Sequence, residues 1–75
     1  MQSLDTLKIE EKAIIKSINP NSHLKRRLQD IGLVKDTLVK CELISPSGNP
    51  VAYRIKGALI AIRKEDSKNI IIEII

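Results

Sequence analysis

Two side chains of this 75-residue chain stand out as reactive, the single histidine His23 and the single cysteine Cys41. A nucleophilic thiol or hydroxyl needs a base beside it and a third group to orient that base. Cys41 alternates with Val39 and Leu43 and is read as a small core residue, so no Ser-His-Asp or Cys-His arrangement is credible. A transition-metal ion held by oxygen and nitrogen donors wants carboxylate and imidazole ligands together. Glu10 and Glu11 with His23 would meet that need only if folding brought them together, and ordinary solvation is the preferred reading. One His and one Cys also fall short of a protein-only zinc or haem site. A phosphate-cradling loop needs a Gly-rich run ending in Lys-Ser or Lys-Thr, which the chain lacks. The expectation is a protein with no catalysis, no cofactor and no resident metal.

Recognition is the chemistry that remains. Lys25-Arg26-Arg27 is the densest basic run. It reads either as a docking face for an acidic protein surface or a phosphate, or as a solvated helix face with Arg26 pairing Asp30 four residues on. Gln29 lies on the same segment. Ser45-Pro46-Ser47-Gly48-Asn49-Pro50 carries glycine and proline for turn geometry. A rigid loop on a scaffold is also where binding concentrates. Lys40, Arg54, Lys56 and Arg63 come from three successive predicted strands and could share an outer face. That supports a competing reading, a small nucleic-acid-binding barrel. Single-strand binders add stacking aromatics to a basic groove. Here Tyr53 is the sole aromatic, and its alternation sets it with Val51 and Ile55.

The composition bounds what can position these residues. Hydrophobic residues are 43% and charged residues 29%, ordinary values for a globular chain. Fourteen isoleucines and eight leucines without Phe or Trp point toward strands. Disordered, collagen-like and disulfide-framework classes are excluded. Residues 1–75 are read as one domain, too small for a deep pocket. The net charge of +4 admits an acidic partner, a nucleic acid or an anionic membrane face without choosing among them. A lone cysteine, no apolar run near ~18 residues and an N-terminus without a signal-peptide pattern give a cytoplasmic expectation.

Leu4–Leu7 is expected to make a short helical turn and Lys12–Ile18 a first strand. Asn19–Ser22 is a turn cluster, with Asn21 or Ser22 as the helix N-cap. His23–Ile31 is the predicted helix, burying Leu24, Leu28 and Ile31. Gly32 ends it, and Leu33 folds back on its last turn. Thr37–Ile44 is a strand with Val39, Cys41 and Leu43 inward. Val51–Lys56, Ala58–Arg63 and Ile70–Ile75 follow, with a tight Lys56-Gly57 turn and a polar turn, or one helical turn, over 64–67. Five short strands and one helix inserted after the first favour a small, partly open barrel, which hides the Ile-rich last strand from an aggregation-prone edge.

The segments carry a family likeness. Leu24-Lys25-Arg26-Arg27-Leu28-Gln29-Asp30-Ile31-Gly32-Leu33 resembles the Leu-x-x-Arg-Leu-x-x-(Leu/Met)-Gly-(Leu/Phe) stretch of the ferrous iron transport protein A family, FeoA. Ser45 to Tyr53 is similar to its (Ala/Ser)-Pro-x-Gly-Asp-Pro-(Ile/Val)-x-(Tyr/Val) turn. Gly57 to Glu65 or Asp66 resembles its Gly-x-x-(Ile/Leu)-x-(Leu/Ile)-Arg-x-x-Glu segment. The resemblance spans nearly the whole chain, with three motifs in order. It implies a mainly β SH3-like barrel and a cytoplasmic accessory of the membrane ferrous-iron permease FeoB, acting on that GTPase permease. A related domain closes iron-dependent transcription repressors, which implies an interaction module as an alternative. Arg27 would then tie the helix to a barrel carbonyl. The expected partner surface is Lys25, Arg26, Gln29, Pro46, Ser47, Gly48, Asn49, Pro50 and Tyr53. The expected partner is FeoB's cytoplasmic part, with no nucleic acid, membrane contact only through the permease, and weak self-association through exposed strand edges. Three positions depart from the pattern: Glu10 stands in a usual Pro-Gly-Glu, Asp36 where Gly is common, and Asn49 where Asp is usual. Glu and Asp accept a positive φ less readily than Gly.

Overall fold

Alternating aliphatic residues extend the chain into six antiparallel strands in a computed structural model that describes residues 2–20 and 25–75. The strands are β1 (Gln2–Ser3), β2 (Lys12–Ile18), β3 (Leu38–Ile44), β4 (Val51–Ile55), β5 (Ala58–Ile62) and β6 (Ile70–Ile74). A 3-10 turn covers Leu4–Thr6, with α1 at Lys25–Asp30 and α2 at Lys64–Ser67. The sheet order is β1-β6-β2-β3-β4-β5. The fold is therefore mainly β, with the two-residue β1 added to the expected elements and the polar segment 64–67 forming one helical turn. The Ile-rich β6 lies inside the sheet between β1 and β2, where its backbone is paired on both sides.

The core holds Leu4, Leu7, Ala13, Ile15 and Leu33 with the inward residues of the strands. Tyr53 is fully buried, and its phenol donates to the Leu4 carbonyl at 3.3 Å, which ties β4 to the 3-10 turn. Burial, then the nearby thiol, pushes its pKa up to about 12. Cys41 is buried as expected, and desolvation first, then the Glu11 and Glu42 charges, raise its thiol above the ordinary value.

Two core expectations fail for local reasons. Leu43 is 59% exposed, not inward. Cys41 pairs with Tyr53 and Leu43 with Ala52, so a bulge at Glu42 flips the parity of the strand's end. A second shift between Ile15 and Ser17 likewise moves the buried position of β2 to Ile18. Ile31 is 41% exposed because α1 stops at Asp30. Gly32, at φ +98°, turns the chain, and its N–H donates to the Gln29 carbonyl at 3.0 Å. The Leu33 N–H reaches the Leu28 carbonyl at 2.9 Å, and Leu33 is buried in place of Ile31. This is the Schellman pattern, with its apolar clasp between Leu28 and Leu33. The predicted N-cap at Asn21 or Ser22, His23 and the Leu24 position lie outside the described residues.

Two of the three positions that depart from the family pattern, Glu10 and Asp36, keep a left-handed backbone. Glu10 has φ +75° and Asp36 φ +70°. Each is the third residue of a turn, closed by Glu11 N–H to the Lys8 carbonyl at 2.9 Å and Thr37 N–H to the Val34 carbonyl at 3.1 Å. Glycine is the default there. The strand backbone holds both turns: Glu10 N–H donates to the Cys41 carbonyl at 2.8 Å and Asp36 N–H to the Ile15 carbonyl at 2.7 Å.

Candidate docking surface

The loop between β3 and β4 is fixed by its own hydrogen bonds. Gly48 N–H donates to the Ser45 carbonyl at 2.8 Å, and the Ser47 hydroxyl to the Asn49 carbonyl at 2.9 Å. Asn49 Oδ1 accepts the Lys64 N–H at 3.0 Å, satisfying a free donor at the start of α2. The amide oxygen does here what a carboxylate would do, so the missing charge leaves the local geometry intact. Pro46, Ser47, Asn49 and Pro50 are exposed and Gly48 is half-buried. Asn49 and Pro50 line a small cleft with Arg63.

On α1, Arg26 and Gln29 are exposed and Lys25 is half-buried. Among the described residues no ion pair joins Arg26 to Asp30. Arg27 makes no hydrogen bond to a barrel carbonyl among them, and instead lines a cleft beside β5 with Ile31, Arg63 and Asp66. Lys25 and Gln29 border a separate hollow with Ser17, Ile18, Val34 and Lys35. The predicted residues thus divide between different clefts. Tyr53 leaves the predicted surface altogether, because its side chain is fully buried in the core.

A larger feature lies across the outer face of β2, β3 and β4. Lys12 stands opposite Lys40, and Lys40 opposite Arg54, so three cations form one row across three strands. They line a groove of about 690 Å³ with Lys35, Lys56, Leu38 and Val34. Of the predicted outer-face cations, Lys40, Arg54 and Lys56 meet here, and Arg63 sits at the other clefts. Lys12, Lys35 and the two aliphatic residues were missed. The signal was available for Lys12, which has the same outward parity in β2 as Lys40 in β3.

The row is partly neutralised. Lys40 Nζ lies 3.2 Å from Glu10 and 3.7 Å from Glu42, and Arg54 Nε lies 3.6 Å from Glu42. The hydrogen bond and charge of Glu10 raise the Lys40 pKa above its ordinary value, with Glu42 adding to it. Lys12, Lys35 and Lys56 have no ion pair among the described residues. Lys56 packs its chain over Gly32, where an added Cβ would meet Lys56 Cδ at 3.3 Å. Among the described residues no group of three or more His, Cys, Asp or Glu side chains could hold a metal ion. No described helix is long and apolar enough to cross a membrane.

Comparisons with known proteins agree with this architecture. The FeoA domain family model matches residues 2–74. A FeoA-like protein from Clostridium acetobutylicum superimposes with a TM-score of 0.92 at 32% identity, covering 97% of this chain and 85% of that one. The FeoA protein of Chlorobium tepidum gives 0.89 at 29% identity, covering 97% and 70%. Zinc-bound FeoA of Stenotrophomonas maltophilia is described as a prokaryotic SH3 domain protein and a candidate ferrous iron transport activating factor. It gives 0.86 at 23% identity, covering 97% and 91%, and so speaks to the fold alone. Comparison with curated proteins finds no match.

Proposed function

The chain belongs to the FeoA domain family, and from that premise we propose that it is a non-enzymatic accessory of ferrous-iron uptake. It binds the cytoplasmic part of a FeoB-type GTPase permease and modulates it. The match over residues 2–74 carries this reading, since it spans nearly the whole 75-residue chain. The surface supports it. The exposed Arg26 and Gln29 of α1, the half-buried Lys25 beside them, and the rigid loop from Pro46 to Pro50 present cations and fixed backbone to an acidic partner. Fixed loops lose little entropy on binding.

The buried Cys41, with its raised thiol pKa, is unsuited to nucleophilic work. The cation row alone would also suit a phosphate backbone. The single tyrosine is buried and the chain has no Phe or Trp, so the described surface offers bases no such ring to stack on.

The test is an NMR titration of isotope-labelled protein with the permease's cytosolic domains. Localised shifts on α1, the 46–50 loop or the groove are the expected result. Arg26→Glu should weaken binding; unchanged affinity would remove α1 from the interface. An absence of shifts at saturating partner would overturn the accessory reading for the soluble part of the permease.

A further inference from the structure

We propose that the groove across β2, β3 and β4 is the docking site for a short acidic segment of the partner protein, anchored by one aliphatic side chain. This rests on the accessory reading and names the chemistry that such a partner presents.

The first observation is the register. Lys12, Lys40 and Arg54 are directly opposite one another in adjacent strands. Like charges so placed oppose pairing of the strands. Glu10 and Glu42 engage Lys40 and Arg54. Among the described residues, Lys12, Lys35 and Lys56 remain without ion pairs and Asp36 is the only acid that lines the groove. The groove therefore has an excess of positive charge that an acidic ligand would neutralise.

The second observation is the floor. Leu38 is 51% exposed and Val34 39% exposed, both in the wall of the same groove. Two aliphatic side chains ringed by cations suit a segment that alternates carboxylates with a Leu- or Ile-like residue. The carboxylates would meet Lys12, Lys35 and Lys56, and the aliphatic residue would cover Leu38 and Val34. Burial of that apolar contact supplies affinity, and the surrounding charges supply orientation and approach rate.

Other occupants fit less well. A nucleic acid has no use for the aliphatic floor and finds no exposed aromatic. A second copy would bring another chain of net charge +4 against a basic groove. An anionic membrane would favour aliphatic side chains that protrude, whereas Leu38 and Val34 line a concavity.

The experiment uses a fluorescently labelled synthetic peptide of glutamates interrupted by leucine, followed by anisotropy and by NMR shifts of the labelled protein. The comparison ligands are the same peptide with leucine replaced by serine, an oligothymidine and phosphatidylglycerol vesicles. The expected result is saturable binding with shifts at Val34, Lys35, Leu38 and Lys56, weakened about fivefold or more by Lys35→Glu, by Leu38→Ser and by loss of the peptide leucine. Lys12→Glu is a second charge variant, and Arg63→Glu, outside the groove, should leave binding unchanged. Equal binding of the serine peptide, or tighter binding of oligothymidine or vesicles at about 0.15 M salt, would overturn the proposal. The permease domains separate the two readings. If they shift residues outside the groove only, the groove proposal fails while the accessory reading stands. If the peptide occupies the groove but the domains do not bind, the groove stands and the accessory reading fails.

Discussion

Asp36 is the position where backbone strain and groove charge meet, and replacing it by glycine should stabilise the protein. The residue sits at φ +70° in the Val34–Thr37 turn, held there by its N–H bond to the Ile15 carbonyl at 2.7 Å. A left-handed conformation costs a residue with a Cβ ~1–2 kcal/mol, with Asp at the low end because its short polar side chain tolerates the region. Asp36→Gly removes about 1 kcal/mol of that strain. The greater freedom of glycine in the unfolded chain takes back ~0.4–1 kcal/mol. The net gain is then up to about 0.5 kcal/mol, or roughly 2–4 °C in Tm for a domain of this size. Asp36→Ala bears the full strain without the tolerance of Asp and should be about 0.5 kcal/mol less stable than the parent. The order Gly, Asp, Ala is thus the sharper test, with about 1 kcal/mol between its ends. Urea denaturation followed by far-UV circular dichroism measures it, since the chain has no Trp. Equal stability of the Ala and Gly variants would refute the left-handed assignment. The same Asp36→Gly variant removes the groove's one lining acid, so the acidic peptide should bind it about twofold more tightly.

Asn49→Ala should cost about 1 kcal/mol in urea denaturation, since it removes the side-chain acceptor at the start of α2, whereas Asn49→Asp should keep the stability. The single Tyr53 reports its own titration by ultraviolet absorbance, and ionisation should come near pH 12 in the folded protein instead of near 10. Its folded pKa is the higher one, so its contribution to stability is complete below about pH 10 and is lost as pH rises toward 12; tyrosinate at pH 10 in folded protein would contradict this. Cys41 should resist a thiol reagent at neutral pH and react at once in denaturant, because it is fully buried and burial raises its thiol pKa; fast labelling of native protein would refute that burial.

Much of the local architecture is legible in the linear chain because it depends on near neighbours. The aliphatic run over Lys12–Ile18 marks that strand to the residue, and the period of two from Val51 marks the next, which stops at Ile55, one residue before the expected Lys56. Gly32 followed by Leu33 announces the helix stop that the Schellman bonds make. The inward placement of Cys41 is legible from its alternation with Val39. Register is a different matter. Whether Leu43 faces in or out depends on the bulge at Glu42, which exists only in the pairing of β3 with β4. Tyr53 reads as either a surface or a core residue until its phenol is seen to reach Leu4, 49 positions away in the chain. The cation row is of the same kind. Lys12, Lys40 and Arg54 are far apart in sequence and become neighbours only when antiparallel pairing sets them opposite one another. Within an unbulged stretch the alternation of residue types marks which face the segment buries, because side-chain direction there is a local property of the backbone. Which residues share that face is decided by inter-strand hydrogen bonds, and those form only once the sheet has closed around its core.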